Sequence, residues 1–242
     1  MKKRVVFCIP TITRPYQVCL DSLKASIPLI QERWDEGMVT EVGNPYISAA
    51  RSYMLRKALD TKADVIVFID HDLSWEPEDL LKLIETEGEV VSGIYRFKKD
   101  EEEYMGVIED GKDFLPTVRE DGCIKATRIP AGFMKITKEG VNRFMTAYPD
   151  LCYGPKHNLS VDLFNHGAHK GAWWGENYSF SRNWIDCGGE LWIVPDLDLN
   201  HHTTEKEYKG NYHEFLLRQP GGSNAAIHDA STPREDAGLQ QR

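Results

Sequence analysis

Residues Val65–Ile69 form an unbroken apolar run, rich in β-branched side chains, that stops abruptly at Asp70-His71-Asp72. A run of this kind predicts a strand buried on both faces, and such strands are typical of parallel α/β sheets. Ligands of these sheets bind at the carboxyl ends of the strands, where Asp70 and Asp72 would stand. Because residues two apart in an extended segment point to the same side, both carboxylates would face one hard cation and, through it, a diphosphate.

Composition limits the classes of partner. The 242 residues suffice for one α/β domain with a normal core, and no apolar run approaches the length of a membrane span. The net charge of −9 argues against a nucleic-acid partner, because phosphate contacts need clustered Lys and Arg. Five scattered cysteines without a Cys-x-x-Cys pair predict free thiols in a reducing compartment, and we expect a cytoplasmic protein.

The first hundred residues alternate between strand and helix patterns. Strands are predicted at residues 4–9, 38–42, 65–69 and 90–95, and helices from Tyr16, over residues 47–59 and from Pro77. Pro28 should kink or split the first helix, whereas Pro77 and the acids beside it suit a helix start. This order predicts an α/β half of the nucleotide-binding kind.

The second half follows a different pattern. Short strands at residues 104–108 and 124–129 predict antiparallel additions to the sheet, and a short helix should begin near Thr137. Residues 190–194 are predicted to form one more strand. Residues 150–175 are rich in Gly, His and aromatics without periodicity, which is typical of a long binding loop or lid. Beyond Arg218 the chain is polar and Gly-rich. We therefore predict a domain over residues 1–217 and a polar tail or linker over residues 218–242.

Three segments, in this order, resemble glycosyltransferases of the GT-A fold, particularly the family-2-like group. They are the strand with Asp70-His71-Asp72, the segment Ala131-Gly132-Phe133 and the segment Gly175-Glu176-Asn177-Tyr178. The resemblance covers roughly residues 4–213 and implies an α/β fold of the GT-A type, with a mixed, mostly parallel central sheet flanked by helices. It also implies metal-dependent transfer of a sugar from a nucleotide-diphosphate donor, with UDP expected, to a glycan or other hydroxyl acceptor.

The resemblance assigns the donor site. Asp70 and Asp72 take the places that hold the ribose and a divalent metal on the diphosphate, and His201, favoured over His202, completes the metal shell. An imidazole beside carboxylates favours Mn²⁺, with Mg²⁺ as the alternative. The residues expected to contact the nucleotide or the donor sugar are Pro10, Thr11, Arg14, Arg51, Asp70, His71, Gly132, Tyr208 and Asn211. The segment with Tyr208 and Asn211 is expected to close over the diphosphate as a lid.

The resemblance also assigns the acceptor side. Glu176 takes the place of the carboxylate that accepts the proton of the acceptor hydroxyl. Asn177 stands where the family has a second acid, so Glu176 is the only carboxylate of this motif and the stereochemistry stays open. Trp173 and Trp174, in a Gly-rich loop, are expected to stack on a sugar face, with a place in the core as the alternative.

Two other functions remain open. The segment Asp70-His71-Asp72-Leu73-Ser74 loosely fits the Asp-X-Asp-X-Thr motif of haloacid-dehalogenase-like phosphatases, in which Asp70 would be the nucleophile and Asp72 the acid. The preceding βα units and the lack of a clear downstream lysine with an acidic pair count against this function. The substitution at Asn177 also keeps open a non-catalytic module that binds a nucleotide sugar.

Overall fold

Strands and helices alternate through the first hundred residues, as the sequence predicts. The computed structural model describes residues 2–109 and 115–219. The strands are β1 (Arg4–Thr11), β2 (Asp35–Val42), β3 (Val65–Ile69), β4 (Leu73–Ser74), β5 (Val90–Gly93), β6 (Val107–Ile108), β7 (Ile124–Arg128), β8 (Phe133–Thr137), β9 (Cys152–Tyr153), β10 (Ser160–Val161), β11 (Gly167–His169), β12 (Ala172–Trp174), β13 (Leu191–Val194), β14 (Asn200–His202) and β15 (Glu207–Tyr208). The helices are α1 (Gln17–Gln31), α2 (Ile47–Asp60), α3 (Pro77–Glu85), α4 (Lys138–Ala147), α5 (Glu176–Asp186) and α6 (Tyr212–Arg218).

Eight strands form one mixed sheet in the order β2-β1-β3-β8-β5-β13-β7-β6. The strand β1 pairs in parallel with β2 and β3, and β5 pairs in parallel with β13. The strands β6 and β7 pair antiparallel, which agrees with the predicted antiparallel additions. The strand β8 also pairs antiparallel with both of its neighbours, β3 and β5. Every residue of β3 is buried, because Ile66 and Phe68 belong to the core on one face and Val67 and Ile69 to the core on the other.

The sheet brings the ends of three strands to one edge. The parallel neighbours β1 and β3 end there with Pro10, Thr11 and Asp70. The antiparallel strand β8 begins there, since Phe133 pairs with Ile69. A second, three-stranded sheet has the order β15-β14-β4. Its strand β4 directly follows Asp72, so this sheet lies beside the same edge.

The structure corrects three details of the sequence prediction. Pro28 does not split α1, because the buried Leu23, Ser26 and Ile30 keep the helix packed on both sides of the proline. The strand predicted at residues 38–42 begins three residues earlier, where Asp35 pairs with Arg4 of β1. The stretch predicted as a long loop contains two hairpins, β9–β10 and β11–β12, which are too short to give a periodic pattern.

The structure describes the end of the predicted domain but little of the predicted tail. The helix α6 ends at Arg218, one residue beyond the predicted boundary at 217, and residues 220–242 of the predicted tail lie outside the described residues. Within the described part of the chain, no helix has the length and apolar character needed to span a membrane. All five cysteines are free thiols.

A buried lysine on β8 makes the stability of the folded protein depend on pH in the alkaline range. Lys135 is only 4% exposed and donates hydrogen bonds to the carbonyl oxygens of Ile84 and Thr86 at the end of α3. Burial, followed by the nearby charge of Arg119, lowers the pKa of Lys135 to about 8. The unfolded chain, with its higher lysine pKa, holds this proton more tightly than the folded protein. The contribution of Lys135 to stability therefore rises with pH above about 8.

We compare the free energy of unfolding of the parent with that of Lys135→Met. The advantage of the parent should increase by on the order of 2 kcal/mol from pH 7.5 to pH 10. Urea denaturation across this range measures the difference, and subtraction cancels the titration of the cysteines and tyrosines. A difference that does not change with pH would contradict the assignment.

Candidate active site

Asp70 is fixed by three partners at the carboxyl end of β3. Its Oδ1 accepts a hydrogen bond from Arg51 Nη2 at 2.8 Å, and its Oδ2 accepts one from the Tyr95 hydroxyl at 3.1 Å. Its backbone N–H donates to the carbonyl oxygen of Gly132 at 2.7 Å. Burial, followed by the charge of Asp70, raises the pKa of Tyr95, so its hydroxyl remains a donor to this carboxylate.

Gly132 makes this arrangement possible. A Cβ atom at this position would overlap both the Tyr95 hydroxyl and the Asp70 carboxylate. Only a residue without a side chain lets β8 begin this close to the end of β3. The sequence placed Gly132 at the site, and the structure shows that its neighbour there is Asp70.

Arg51 connects the two acidic motifs. It lies on α2, is 2% exposed, and has its guanidinium 5.0 Å from the centre of the Phe164 ring. Besides its bond to Asp70, its Nη1 lies 3.4 Å from Glu176 Oε1 and 3.3 Å from Asn177 Oδ1. The amide of Asn177 thus offers a neutral oxygen to a guanidinium that already has two carboxylate partners.

Asp72 lies two residues further on and is 8% exposed. Lys98 Nζ forms an ion pair with its Oδ2, and His201 Nε2 lies 3.5 Å from its Oδ1. Burial opposes ionisation of Asp72, but the hydrogen bond with His201 and the ion pair with Lys98 outweigh it and hold the pKa of this carboxyl below its usual range. The register between β14 and β4 creates this contact by pairing His201 with Leu73, the neighbour of Asp72.

Two candidate ligands of a divalent cation, Asp72 and His201, lie side by side. The Nδ1 of His201 lies 2.8 Å from the carbonyl oxygen of Arg96, which can only accept, so Nδ1 carries the proton. The Nε2 atom of His201 faces Asp72 Oδ1 at 3.5 Å, and a cation placed between these two atoms would be held by both. In the part of the chain that the structure describes, no three His, Cys, Asp or Glu side chains gather as a metal site. Of the predicted ligands, Asp72 and His201 lie together, whereas Asp70 is directed towards Arg51.

His202 has different surroundings from His201. Its Nε2 lies 2.7 Å from the Ser74 hydroxyl and 3.9 Å from Glu207 Oε1. Burial, the largest effect on this group, lowers the pKa of His202. Adjacent residues of a strand point to opposite sides, and here His201 is the one beside Asp72.

A cavity of about 530 Å³ lies beside the loop that follows β1. Arg14 and Tyr16 line it on one side and Thr203 on another, and the Tyr16 ring meets the His71 ring edge to face at 5.5 Å. Thr11, at the end of β1, is 5% exposed, and its hydroxyl has no hydrogen-bond partner among the described residues. The cavity therefore has an arginine and ring surfaces, with an unpaired hydroxyl nearby at the strand end.

The two tryptophans of the Gly-rich loop occupy different environments. Trp173 is 73% exposed on the hairpin β11–β12, with His166 as its ring neighbour at 6.1 Å. Trp174 lies between two guanidinium groups, those of Arg128 at 5.2 Å and Arg182 at 5.0 Å. Trp173 is thus the more exposed of the two rings.

The segment predicted as a lid is tied down at both ends. Tyr208 pairs with His201 across the hairpin β14–β15, with Arg96 packed on its ring. The amide of Asn211 donates to Asp198 at 2.8 Å and caps the start of α6 by accepting from the Glu214 N–H at 3.1 Å. The side chain of Asn211 thus has a structural role at the start of α6.

Two residues of the site were missing from the sequence prediction. Tyr95 follows β5, and its place at the carboxyl end of a buried strand is a signal that would have identified it. Lys98 lies in a charged loop, and no pattern distinguishes it from the surface lysines around it.

Comparisons with known proteins give a fold but no relative in sequence. No protein-family model matches the chain, and the curated proteins contain no match. Among solved structures, A197 from STIV matches 86% of this chain and 94% of its own, with a TM-score of 0.53 and 15% identity. GalNAc-T7 with UDP, GalNAc and Mn²⁺ matches 81% of this chain and 43% of its own, with a TM-score of 0.48 and 11% identity. The catalytic domain of Drosophila β1,4-galactosyltransferase 7 matches 98% and 83%, with a TM-score of 0.46 and 11% identity. The extent of the first match shows that the chain shares the fold of A197 from STIV, and the mixed sheet flanked by helices agrees with the predicted α/β fold class.

Proposed function

We propose that the protein is a metal-dependent glycosyltransferase that moves a sugar from a nucleotide-diphosphate donor, most simply a UDP-sugar, to a hydroxyl acceptor. The observation that carries this proposal is the buried Arg51, which holds Asp70 and Glu176 on one guanidinium. One acid follows the strand whose end binds ligands in α/β sheets, and the other begins the helix α5. The two acids that the proposal places in the donor and acceptor halves thus share one guanidinium partner.

The donor half has groups for each part of a nucleotide diphosphate. Asp72 and His201 would hold the divalent cation, which when bound supplies the charge that stabilises the leaving diphosphate. Asp70, oriented by Arg51 and Tyr95, is placed to accept hydrogen bonds from the ribose. For the nucleotide itself we propose the cavity beside β1, with Pro10, Thr11, Arg14 and His71.

The acceptor half is built around Glu176. The acceptor oxygen attacks the anomeric carbon, the bond from that carbon to the diphosphate oxygen breaks, and the Glu176 carboxylate takes the hydroxyl proton. Arg51 and the start of α5 fix the position of this carboxylate. The exposed ring of Trp173, three residues earlier, suits a sugar face.

Replacing Glu176 with glutamine should slow transfer by roughly a thousandfold, because the amide cannot accept the hydroxyl proton. The affinity for the nucleotide should stay within about twofold, since Glu176 lies on the acceptor side. The release of UDP from UDP-sugars in the presence of candidate acceptors measures the first quantity, and calorimetry measures the second.

Glu139→Gln is the matched control, because Glu139 occupies the first turn of α4 as Glu176 does in α5, and it is exposed. If Glu176→Gln transfers sugar at the rate of the parent, Glu176 is not the base. Nucleotide binding by a parent protein that transfers no sugar to any acceptor would favour the non-catalytic module.

The phosphatase alternative is weakened by the position of Asp70. Both of its carboxylate oxygens accept hydrogen bonds, from Arg51 and Tyr95, which reduces their reactivity as nucleophiles. Release of phosphate from simple phosphomonoesters would revive this alternative.

A further inference from the structure

Lys98 is a second cation at the proposed metal site. Its Nζ pairs with Asp72 Oδ2, the oxygen that does not face His201. The side chain of Asp72 is 12% exposed and that of Lys98 is 32% exposed. The side chain of Lys98 is thus the more exposed of the two partners.

We propose that Lys98 and the divalent cation compete for Asp72, and that Lys98 passes to the donor diphosphate when the cation binds. This inference rests on the proposed function and adds a diphosphate-binding residue to it. A divalent ion on Asp72 would lie close to the ammonium group, and the repulsion between these like charges would drive Lys98 off the carboxylate. A diphosphate held by the same ion would give the ammonium group a new anionic partner.

The backbone around Lys98 allows the side chain to move alone. The N–H of Phe97 donates to the carbonyl of Glu103 at 2.9 Å, and Arg96 Nη2 donates to the carbonyl of Asp100 at 3.1 Å. These bonds hold the main chain on both sides of Lys98. Its four-carbon side chain has rotatable bonds enough to change partners without a change in the loop.

The same loop is linked to the strand that carries His201. Arg96 accepts the hydrogen bond of His201 Nδ1, and Lys206, from the β14–β15 connection, pairs with Asp100. The proposed ligand His201 and the residue Lys98 therefore belong to one connected unit. A cation bound at Asp72 would therefore act on His201 and on Lys98 together.

Binding of Mn²⁺, UDP and uridine to Lys98→Met tests the proposal, with isothermal titration calorimetry as the readout. Removal of the competing ammonium should tighten Mn²⁺ binding by about threefold to fivefold, the range of a partly exposed ion pair. Loss of a charged hydrogen bond to phosphate should weaken UDP binding in the presence of Mn²⁺ by about tenfold. Uridine lacks phosphates, so its affinity should not change.

Lys99→Met is the matched control, because Lys99 is the next residue and pairs with Glu103 instead of Asp72. Its affinities should equal those of the parent. An unchanged or weaker affinity of Lys98→Met for Mn²⁺, or equal losses for UDP and uridine, would overturn the proposal. A parent that binds neither Mn²⁺ nor UDP would instead contradict the proposed function itself, and with it the role of Lys98.

Discussion

Replacing Arg51 with methionine is expected to lower the free energy of unfolding by about 3 kcal/mol and to reduce sugar transfer at least about a hundredfold. The guanidinium is 2% exposed, and without it Asp70 and Glu176 lose their shared cationic partner. These carboxylates are 27% and 28% exposed, so water relieves part of the cost and the lower end of the range for buried ion pairs applies. Transfer falls because both acids lose their fixed positions.

Arg51→Lys distinguishes the effect of the positive charge at this position from the effect of the guanidinium geometry. Lysine keeps the positive charge but has no planar fork, so it cannot contact both acids as arginine does. We expect most of the stability to return while transfer stays well below that of the parent. Urea denaturation and the rate of transfer are the two measurements.

Arg33→Met is the control for the loss of an ordinary ion pair, because Arg33 is 61% exposed and pairs with Glu85 on the surface. Its effect on the free energy of unfolding should stay below about 1 kcal/mol. If Arg51→Met unfolds at the same urea concentration as Arg33→Met and still transfers sugar, the proposal that Arg51 holds the two acids of the site in place is wrong.

Gly132→Ala is expected to cost about 1–3 kcal/mol of stability and to weaken nucleotide binding by about tenfold or more. The added methyl group would overlap the Tyr95 hydroxyl and the Asp70 carboxylate, so at least one of them must leave its position. The effect on binding follows because Asp70 would no longer face the ribose. Denaturation and UDP calorimetry measure the two effects.

Gly37→Ala provides the comparison. A Cβ at Gly37 would lie 3.1 Å from Arg4 Nη2, the end of a flexible side chain that can move away. This variant should bind UDP as the parent does. Parent-like affinity in Gly132→Ala would show that the contact between Gly132 and Asp70 is not needed for donor binding.

The sequence predicts the donor edge of the fold because its signals there are local. The run Val65–Ile69 is apolar at every position, so a strand that is buried on both faces and followed by an acid can be predicted from the sequence alone. The place of Arg51 also follows, since it lies near the start of α2, and this start follows the carboxyl end of the parallel strand β2. The resemblance to the GT-A group then supplied Gly132, Glu176 and His201.

The remaining features depend on contacts between distant residues. The sheet that brings His201 to Asp72 is built from strands of two and three residues, which leave no periodic signal. The pairing of Lys98 with Asp72 depends on how one charged loop lies over the sheet edge. Trp173 and Trp174 are adjacent in sequence, and only the fold shows that the first ring is highly exposed and that the second contacts two arginines.

Calorimetric titration of UDP with and without Mn²⁺, on the parent and on Asp72→Ala, tests the central claim most directly. We expect the parent to bind UDP in the presence of Mn²⁺, to bind it far more weakly without the ion, and to lose this metal dependence in Asp72→Ala. Circular dichroism of the variant establishes that it is folded. UDP binding that is the same with and without Mn²⁺, or no binding by the parent under any condition, would contradict the account.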